Sequence, residues 1–149
     1  MEKLPYVIWA KVLAYMYMIA LVYLTMFLNE RIEGRFLDVD NVNLNLFSNK
    51  IAEFQNFSQQ HISQKKFLLE ELIGNIFLFL PFPFALYIVT KKSFGTLRVF
   101  TVMFCCILLI ETLQFLLKIG IFDIDDMVLN STGGLIGLGL FNYLRKDKK

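Results

Sequence analysis

Carboxylate and carboxamide side chains interrupt the apolar stretches of this chain, most densely near its C-terminal end. Glu111 and Gln114 lie one helical turn apart in one stretch, and the acids of the run FDIDD open the next. Burying such groups in hydrocarbon is expensive, so polar residues inside a membrane usually have a function. The candidate ligand-binding residues are Asn75, Glu111, Gln114, Asp123, Asp125, Asp126 and Asn130.

Several kinds of chemistry fit these residues. Glu111 and Gln114 can form a hydrogen-bond clamp with Asn75 or Asn130, or they can line a ligand site. The three aspartates can cap a helix and lie in a solvated loop, or together with Glu111 they can bind Ca²⁺ or Mg²⁺ through their oxygens, but no recognised loop spacing supports a metal site. The sequence contains no Ser–His–Asp set, Cys–His pair, zinc pattern or phosphate-binding glycine loop. We therefore expect no catalytic constellation, no bound metal and no cofactor.

The composition indicates a membrane protein of one domain. Of the 149 residues, 56% are hydrophobic, whereas soluble domains contain about 45–50%. The mean hydropathy is +0.55. The net charge of only +2 excludes the strongly basic surface of a nucleic-acid-binding protein. We expect a single domain over residues 1–149 with membrane lipids as partners and no nucleic-acid partner.

Four apolar stretches approach or reach the length of about 20 residues that crosses a bilayer. They predict an all-α integral membrane protein, a bundle of four transmembrane helices. Pro81 and Pro83 each remove a backbone donor, so the second span should be kinked or broken. The predicted spans cover about residues 7–28, 72–89, 99–117 and 126–144.

A polar loop over about residues 29–66 separates the first two spans. Its centre spaces Leu46, Ile51, Phe54 and Phe57 roughly as one face of a short amphipathic helix. Such a helix can lie in the membrane interface, or it can pack over the ends of the bundle as a cap.

The distribution of basic residues predicts the orientation, because an excess of Lys and Arg marks the cytoplasmic side. Both termini should be cytoplasmic, and the loop and the acidic link before the fourth span should face outward. The polar candidates, with Glu71, then share one depth in the outer leaflet, where we expect a cavity that opens outward. The basic residues are Lys91, Lys92 and Arg98 in one link, and Arg145, Lys146, Lys148 and Lys149 in the tail.

Small residues extend the polar stripe of the fourth span. Asp126, Asn130, Gly133 or Gly134, and Gly137 follow helical spacing and lie on one face. Gly133 and Gly137 form a GxxxG pair, which allows another helix to approach closely. We expect Gly133, Gly134 and Gly137 to be helix-packing residues.

Four segments of the chain resemble the VanZ-like family of bacterial membrane proteins. They are NLNLFSNKI at 43–51, GNIFLFLPFPFAL at 74–86, ETLQF at 111–115 and FDIDDMVLNSTGGLIG at 122–137, and they follow the family's order. Many family members carry an Arg in the link before the acidic run, where this chain has Gly120 and Ile121. If that Arg pairs with an acid in relatives, the acid must be satisfied in another way here.

The resemblance implies a small multi-pass protein of the cell membrane in the Gram-positive type of cell envelope. The founding member of that family is linked to resistance against teicoplanin and related lipoglycopeptides. The function that we predict is non-enzymatic: an outward-facing polar pocket binds an amphiphile or a partner and lowers lipoglycopeptide action. The amphiphile can be the lipoglycopeptide antibiotic itself or a lipid-linked cell-wall precursor. The alternatives are a membrane-embedded enzyme or carrier for envelope lipids with Glu111 as acid or base, and a structural scaffold.

Overall fold

A computed structural model describes residues 3–27, 42–58, 60–92 and 94–146. Residues 29–41 of the predicted loop (about 29–66) and the tail residues 147–149 lie outside the described residues. The described part is mostly helical, with two short strands that pair in parallel. In chain order the elements are α1 (Lys3–Phe27), β1 (Val42–Asn43), α2 (Ser48–Gln55), α3 (Ile62–Phe79), α4 (Phe82–Thr90), α5 (Thr96–Leu116), β2 (Phe122–Asp123) and α6 (Ile124–Lys146).

Three helical segments of the described chain are long and apolar enough to cross a membrane. They are Tyr6–Met26, Ile62–Thr90 and Thr96–Leu116. Many of their large apolar side chains are exposed, Trp9 and Ile19 among them, which suits contact with lipid. The predicted all-α membrane architecture is confirmed at this level.

The last helix, α6, matches the fourth predicted span but is not among the three most apolar segments. It packs against α3, α4 and α5. Its buried face carries Asp126 and Asn130 beside Gly133, Gly134 and Gly137. Because neighbouring helices cover this face, its side chains do not have to be compatible with lipid.

The two prolines divide the second apolar segment, as the sequence predicts. Helix α3 ends at Phe79 and α4 begins at Phe82, so the break lies at Leu80 and Pro81. A break leaves backbone carbonyls without their helical donors. The carbonyl oxygen of Leu78, beside the break, accepts a hydrogen bond of 2.8 Å from the Tyr17 hydroxyl.

Glycines allow α3 and α6 to lie side by side in the same direction. Gly133 faces the backbone of Ile76, and Gly137 faces the backbone of Leu80. Lipid tails are as apolar as the side chains, so close van der Waals contact replaces the hydrophobic effect as the force that joins membrane helices. An apolar core of Leu21, Phe79, Phe82, Met103, Ile107 and Ile110 lies between the helices.

In the described helices, the acidic residues lie towards one end of the bundle. The start of α6 contacts Glu111, near the C-terminal end of α5, and Asn75 of α3 at one end of the bundle. At the other end, Asn142 of α6 donates a hydrogen bond of 3.3 Å to Thr96 at the start of α5. Lys91, Lys92 and Arg145 lie exposed at that second end.

We predict that Gly133→Ala destabilises the protein. A Cβ atom at this position would overlap the backbone carbonyl of Ile76, so α3 and α6 must separate. The expected loss in the free energy of unfolding is about 1–3 kcal/mol, as for other overpacked sites. Thermal unfolding of the purified protein in detergent measures this loss.

Gly139→Ala is the matched control on the same helix. Among the described residues, no atom outside the local helix backbone lies within 4 Å of the place that a Cβ atom of residue 139 would take, so alanine should leave stability unchanged or raise it by up to about 1 kcal/mol through helix propensity. Equal effects of the two substitutions would contradict the packing that we describe.

Candidate functional site

A buried lysine lies at the acidic end of the bundle. The side chain of Lys50, in α2, has its Nζ atom 3.2 Å from Glu71 Oε1 and 3.3 Å from Asp125 Oδ2. The same Nζ atom lies 3.7 Å from an oxygen of Asp123 and 3.7 Å from an oxygen of Asp126. Lys50 is only 8% exposed. We name these five residues the Lys50 cluster.

The start of α6 positions three of the four carboxylates. Asp123 precedes the first helical residue, and its Oδ1 atom accepts a hydrogen bond of 2.8 Å from the backbone N–H of Asp125. Asp123 therefore caps the helix, in agreement with the capping interpretation of the acidic run. Asp125 and Asp126 occupy the first turn, where the positive end of the helix dipole stabilises negative charge.

The segment before α3 is attached to the bundle through these same carboxylates. The backbone N–H of Phe47 donates a hydrogen bond of 2.6 Å to Asp125 Oδ1. The side chain of Asn43 donates one of 3.0 Å to Asp123 Oδ1. The pairing of Val42 with Phe122 and of Asn43 with Asp123 adds a backbone connection. Helix α2 therefore covers the acidic end of the bundle.

Helices α3, α5 and α6 each supply a further polar residue around the cluster. Asn75 Nδ2 donates a hydrogen bond of 2.8 Å to Asp126 Oδ1. Glu111 Oε2 accepts one of 3.3 Å from the backbone N–H of Asp123. Asn130 is 3% exposed and lies one turn after Asp126 on the same face of α6. Its Oδ1 atom is buried without a hydrogen-bond partner in the described part of the chain.

Gln114 lies apart from this group. Its Nε2 atom donates a hydrogen bond of 2.7 Å to the backbone carbonyl of Thr25, so it connects α5 to α1. The structure therefore brings six of the seven candidate residues to one region and turns the seventh towards α1. The six are Asn75, Glu111, Asp123, Asp125, Asp126 and Asn130.

Lys50 is not among the candidate residues predicted from the sequence, although the chain contains a signal for it. Lys50 follows Leu46 by one helical turn and precedes Phe54 by one turn, so a lysine interrupts the apolar face of the predicted helix. Leu46 and Phe54 are more than half exposed in the structure. Burial of the lysine, rather than of these apolar side chains, determines how α2 docks.

The cluster contains more negative than positive charge. Four carboxylates surround one ammonium group, a formal excess of three negative charges when all groups are ionised. An ammonium group has only three N–H donors, so it cannot bond all four carboxylates at full strength. The arrangement can therefore hold a cation, and it also fastens α2 to the bundle.

An apolar groove of about 560 Å³ lies between α1 and α4. It borders the first half of α1, whereas Gln114 contacts the last turns of α1 near Thr25. The groove and the Lys50 cluster thus lie in opposite halves of the bundle. Its lining includes Tyr6, Trp9, Leu13, Tyr17, Pro81 and Phe84.

Comparisons with known proteins agree with the sequence pattern. The family described as VanZ/LLP1 matches residues 14–145 of the chain. Protein VanZ from Enterococcus faecium is 33% identical over 95 residues, which cover 61% of this chain and 58% of that protein. The chain thus spans less than two thirds of the length of that relative. No solved structure matches the chain significantly.

We predict that Lys50→Met strongly destabilises the protein, because it leaves four carboxylates together without their cation. Removal of one partner from a buried ion pair typically lowers the free energy of unfolding by about 3–5 kcal/mol. Chemical unfolding in detergent, followed by circular dichroism, measures the change.

Lys66→Met is the matched control for this substitution. Lys66 forms an ion pair with Glu70 one turn away, but their side chains are 74% and 63% exposed. Loss of such a surface pair should change stability by less than about 1 kcal/mol. If Lys50→Met is as mild as Lys66→Met, the cluster does not hold α2 in place.

Proposed function

The chain belongs to the VanZ/LLP1 family, and from this premise we propose that it lowers the susceptibility of its host to teicoplanin-type lipoglycopeptides. In this proposal it crosses the membrane four times, with both termini in the cytoplasm. The Lys50 cluster and α2 then face the outside of the cell. The relative named Protein VanZ supports the family role, and the exposed basic residues Lys91, Lys92 and Arg145 at the end opposite the Lys50 cluster support the orientation.

Polar and apolar groups meet at the acidic end of the bundle, and this observation supports a ligand-binding surface there. Glu71 is at the rim of the Lys50 cluster, with its side chain 12% exposed. Helix α2, which supplies Lys50, also presents Ile51 and Phe54 at 53% and 65% exposure. An amphiphile can place its polar head against the rim and its apolar part along α2.

The burial of the innermost acids limits which residues of the candidate site a ligand can contact. Asp125 is 0% exposed and Glu111 only 3%, so α2 and its neighbours cover the deepest carboxylates. The ligand in our proposal therefore contacts the rim and α2 rather than the innermost acids. It is the lipoglycopeptide itself or a lipid-linked cell-wall precursor at the outer leaflet.

The scaffold interpretation is the second candidate, and the closed state of the Lys50 cluster favours it. Asp123, Asp125 and Glu111 are hydrogen-bonded to one another or to neighbouring segments, as expected of a structural clamp. An enzyme or carrier that uses Glu111 as acid or base is the third candidate. Glu111→Gln retains an acceptor for the Asp123 N–H, so a scaffold should keep its function and such an enzyme should lose it.

We predict that Glu71→Gln abolishes protection against teicoplanin while Glu70→Gln preserves it. The two glutamates are neighbours in the chain, but Glu71 contacts Lys50 and Glu70 has a side chain that is 63% exposed. The measurement is the minimal inhibitory concentration for a sensitive Gram-positive host that expresses each variant at equal membrane abundance. Absence of protection by the wild type would refute the resistance role for this chain.

We further predict that the double substitution Ile51→Ser, Phe54→Ser reduces protection without loss of folded protein. Both side chains are more than half exposed, so they contribute little to packing, but they supply the apolar contact that our proposal assigns to the ligand. Leu97→Ser, at a position that is 77% exposed at the start of α5, is the control at the other end of the bundle. Protection that survives at full strength in the double variant would exclude α2 as the apolar contact.

A further inference from the structure

Three carboxylates of the Lys50 cluster have the spacing of a metal site. One oxygen each from Glu71, Asp123 and Asp126 lies within 4.8 Å of the other two. Calcium binds oxygens at about 2.3–2.6 Å, so ligands on opposite sides of the ion are about 4.6–5.2 Å apart. The three oxygens therefore have a separation that a single Ca²⁺ can bridge.

Asn130 supplies an observation that is independent of the acids. Its Oδ1 atom is buried, and in the described residues no donor reaches it. Side chains of an α-helix lean towards its N-terminus. The side chain of Asn130 therefore leans towards Asp126, which lies one helical turn earlier in α6. A buried carbonyl oxygen without a donor is costly, and an amide oxygen is a common ligand of Ca²⁺.

The Lys50 ammonium group occupies the place that the metal would take. Its Nζ atom contacts each of the three carboxylates, at 3.2 Å from Glu71 and 3.7 Å from the other two. An ammonium group carries one positive charge, and a calcium ion carries two. Exchange of Lys50 for Ca²⁺ would therefore reduce the formal negative excess of the cluster from three charges to two.

We infer that these carboxylates, with the Asn130 carbonyl oxygen, form a Ca²⁺ site in which the ion exchanges with the Lys50 ammonium. Calcium binding expels the lysine and loosens α2, whose ion pairs hold it on the bundle. Lysine and calcium compete, so the affinity of the wild type is weaker than that of a protein without Lys50. The inference does not depend on a role in antibiotic susceptibility.

Calorimetric titration of the purified full-length protein in detergent with CaCl₂ tests the site. The wild type should bind one Ca²⁺ per chain, and Asp126→Asn should abolish binding. Lys50→Met that remains folded should bind about tenfold more tightly or better, because no ammonium group then neutralises the carboxylates and ligand charge sets the affinity of such sites. Asn130→Leu should weaken binding, whereas Asn142→Leu, at the opposite end of α6, should not.

Chemical acetylation of the lysines provides a second readout that does not depend on any substitution. Lys50 is 8% exposed and should resist acetylation without calcium; added Ca²⁺ should make it reactive. Lys66, with a side chain that is 74% exposed, should react equally in both conditions and serves as the internal control. Peptide mass spectrometry measures both rates.

Two outcomes would overturn the inference. One is the absence of saturable binding to the wild type up to about 10 mM Ca²⁺, well above the range of the weakest extracellular calcium modules. The other is calcium binding that leaves the acetylation of Lys50 unchanged, since the ion would then occupy a different place. Neither result would alter the teicoplanin experiment, so the two proposals can fail separately.

Discussion

The ion pairs of Lys50 are the interaction on which the acidic end of this protein depends. A single ammonium group contacts carboxylates from α3, from the residue before α6 and from the first turn of α6. Without it, these acids would repel one another in a region where water screens poorly. The lysine therefore joins α2 to the bundle and also allows the start of α6 to lie close to the acidic side chain of Glu71 in α3.

Close backbone contact at two glycines joins α3 and α6 along their length. Gly133 and Gly137 bring α6 into contact with the backbone of α3, which carries Asn75 and Glu71 to the start of α6. Asp126 then receives both the Asn75 hydrogen bond and the Lys50 contact. Close packing in the middle of the bundle and charge pairing at its end therefore depend on each other, because both require the same short distance between α3 and α6.

Helix α2 covers the charged cluster and at the same time presents an apolar surface. Its lysine is directed into the bundle, whereas Ile51 and Phe54 remain exposed. An exposed apolar surface beside a charged rim suits the boundary between headgroups and acyl chains. The acids stabilise the fold, and the helix that they hold provides the surface for an amphiphile in our proposal. Exchange of Lys50 for Ca²⁺ in the cluster would then loosen α2 and change the position of this surface.

Composition and local pattern determined much of this protein in advance: the helical membrane class, the break at the prolines, the short helix in the loop and the capping of α6. Each follows from neighbours in sequence, through apolar length, missing backbone donors or helical spacing. Only the tertiary structure decided the partners of the polar residues. Gln114 bonds the backbone of Thr25, and Lys50 reaches acids more than 70 residues away in sequence, as its 75-residue separation from Asp125 illustrates. Such pairings depend on which helix ends meet in space, and no local spacing encodes that.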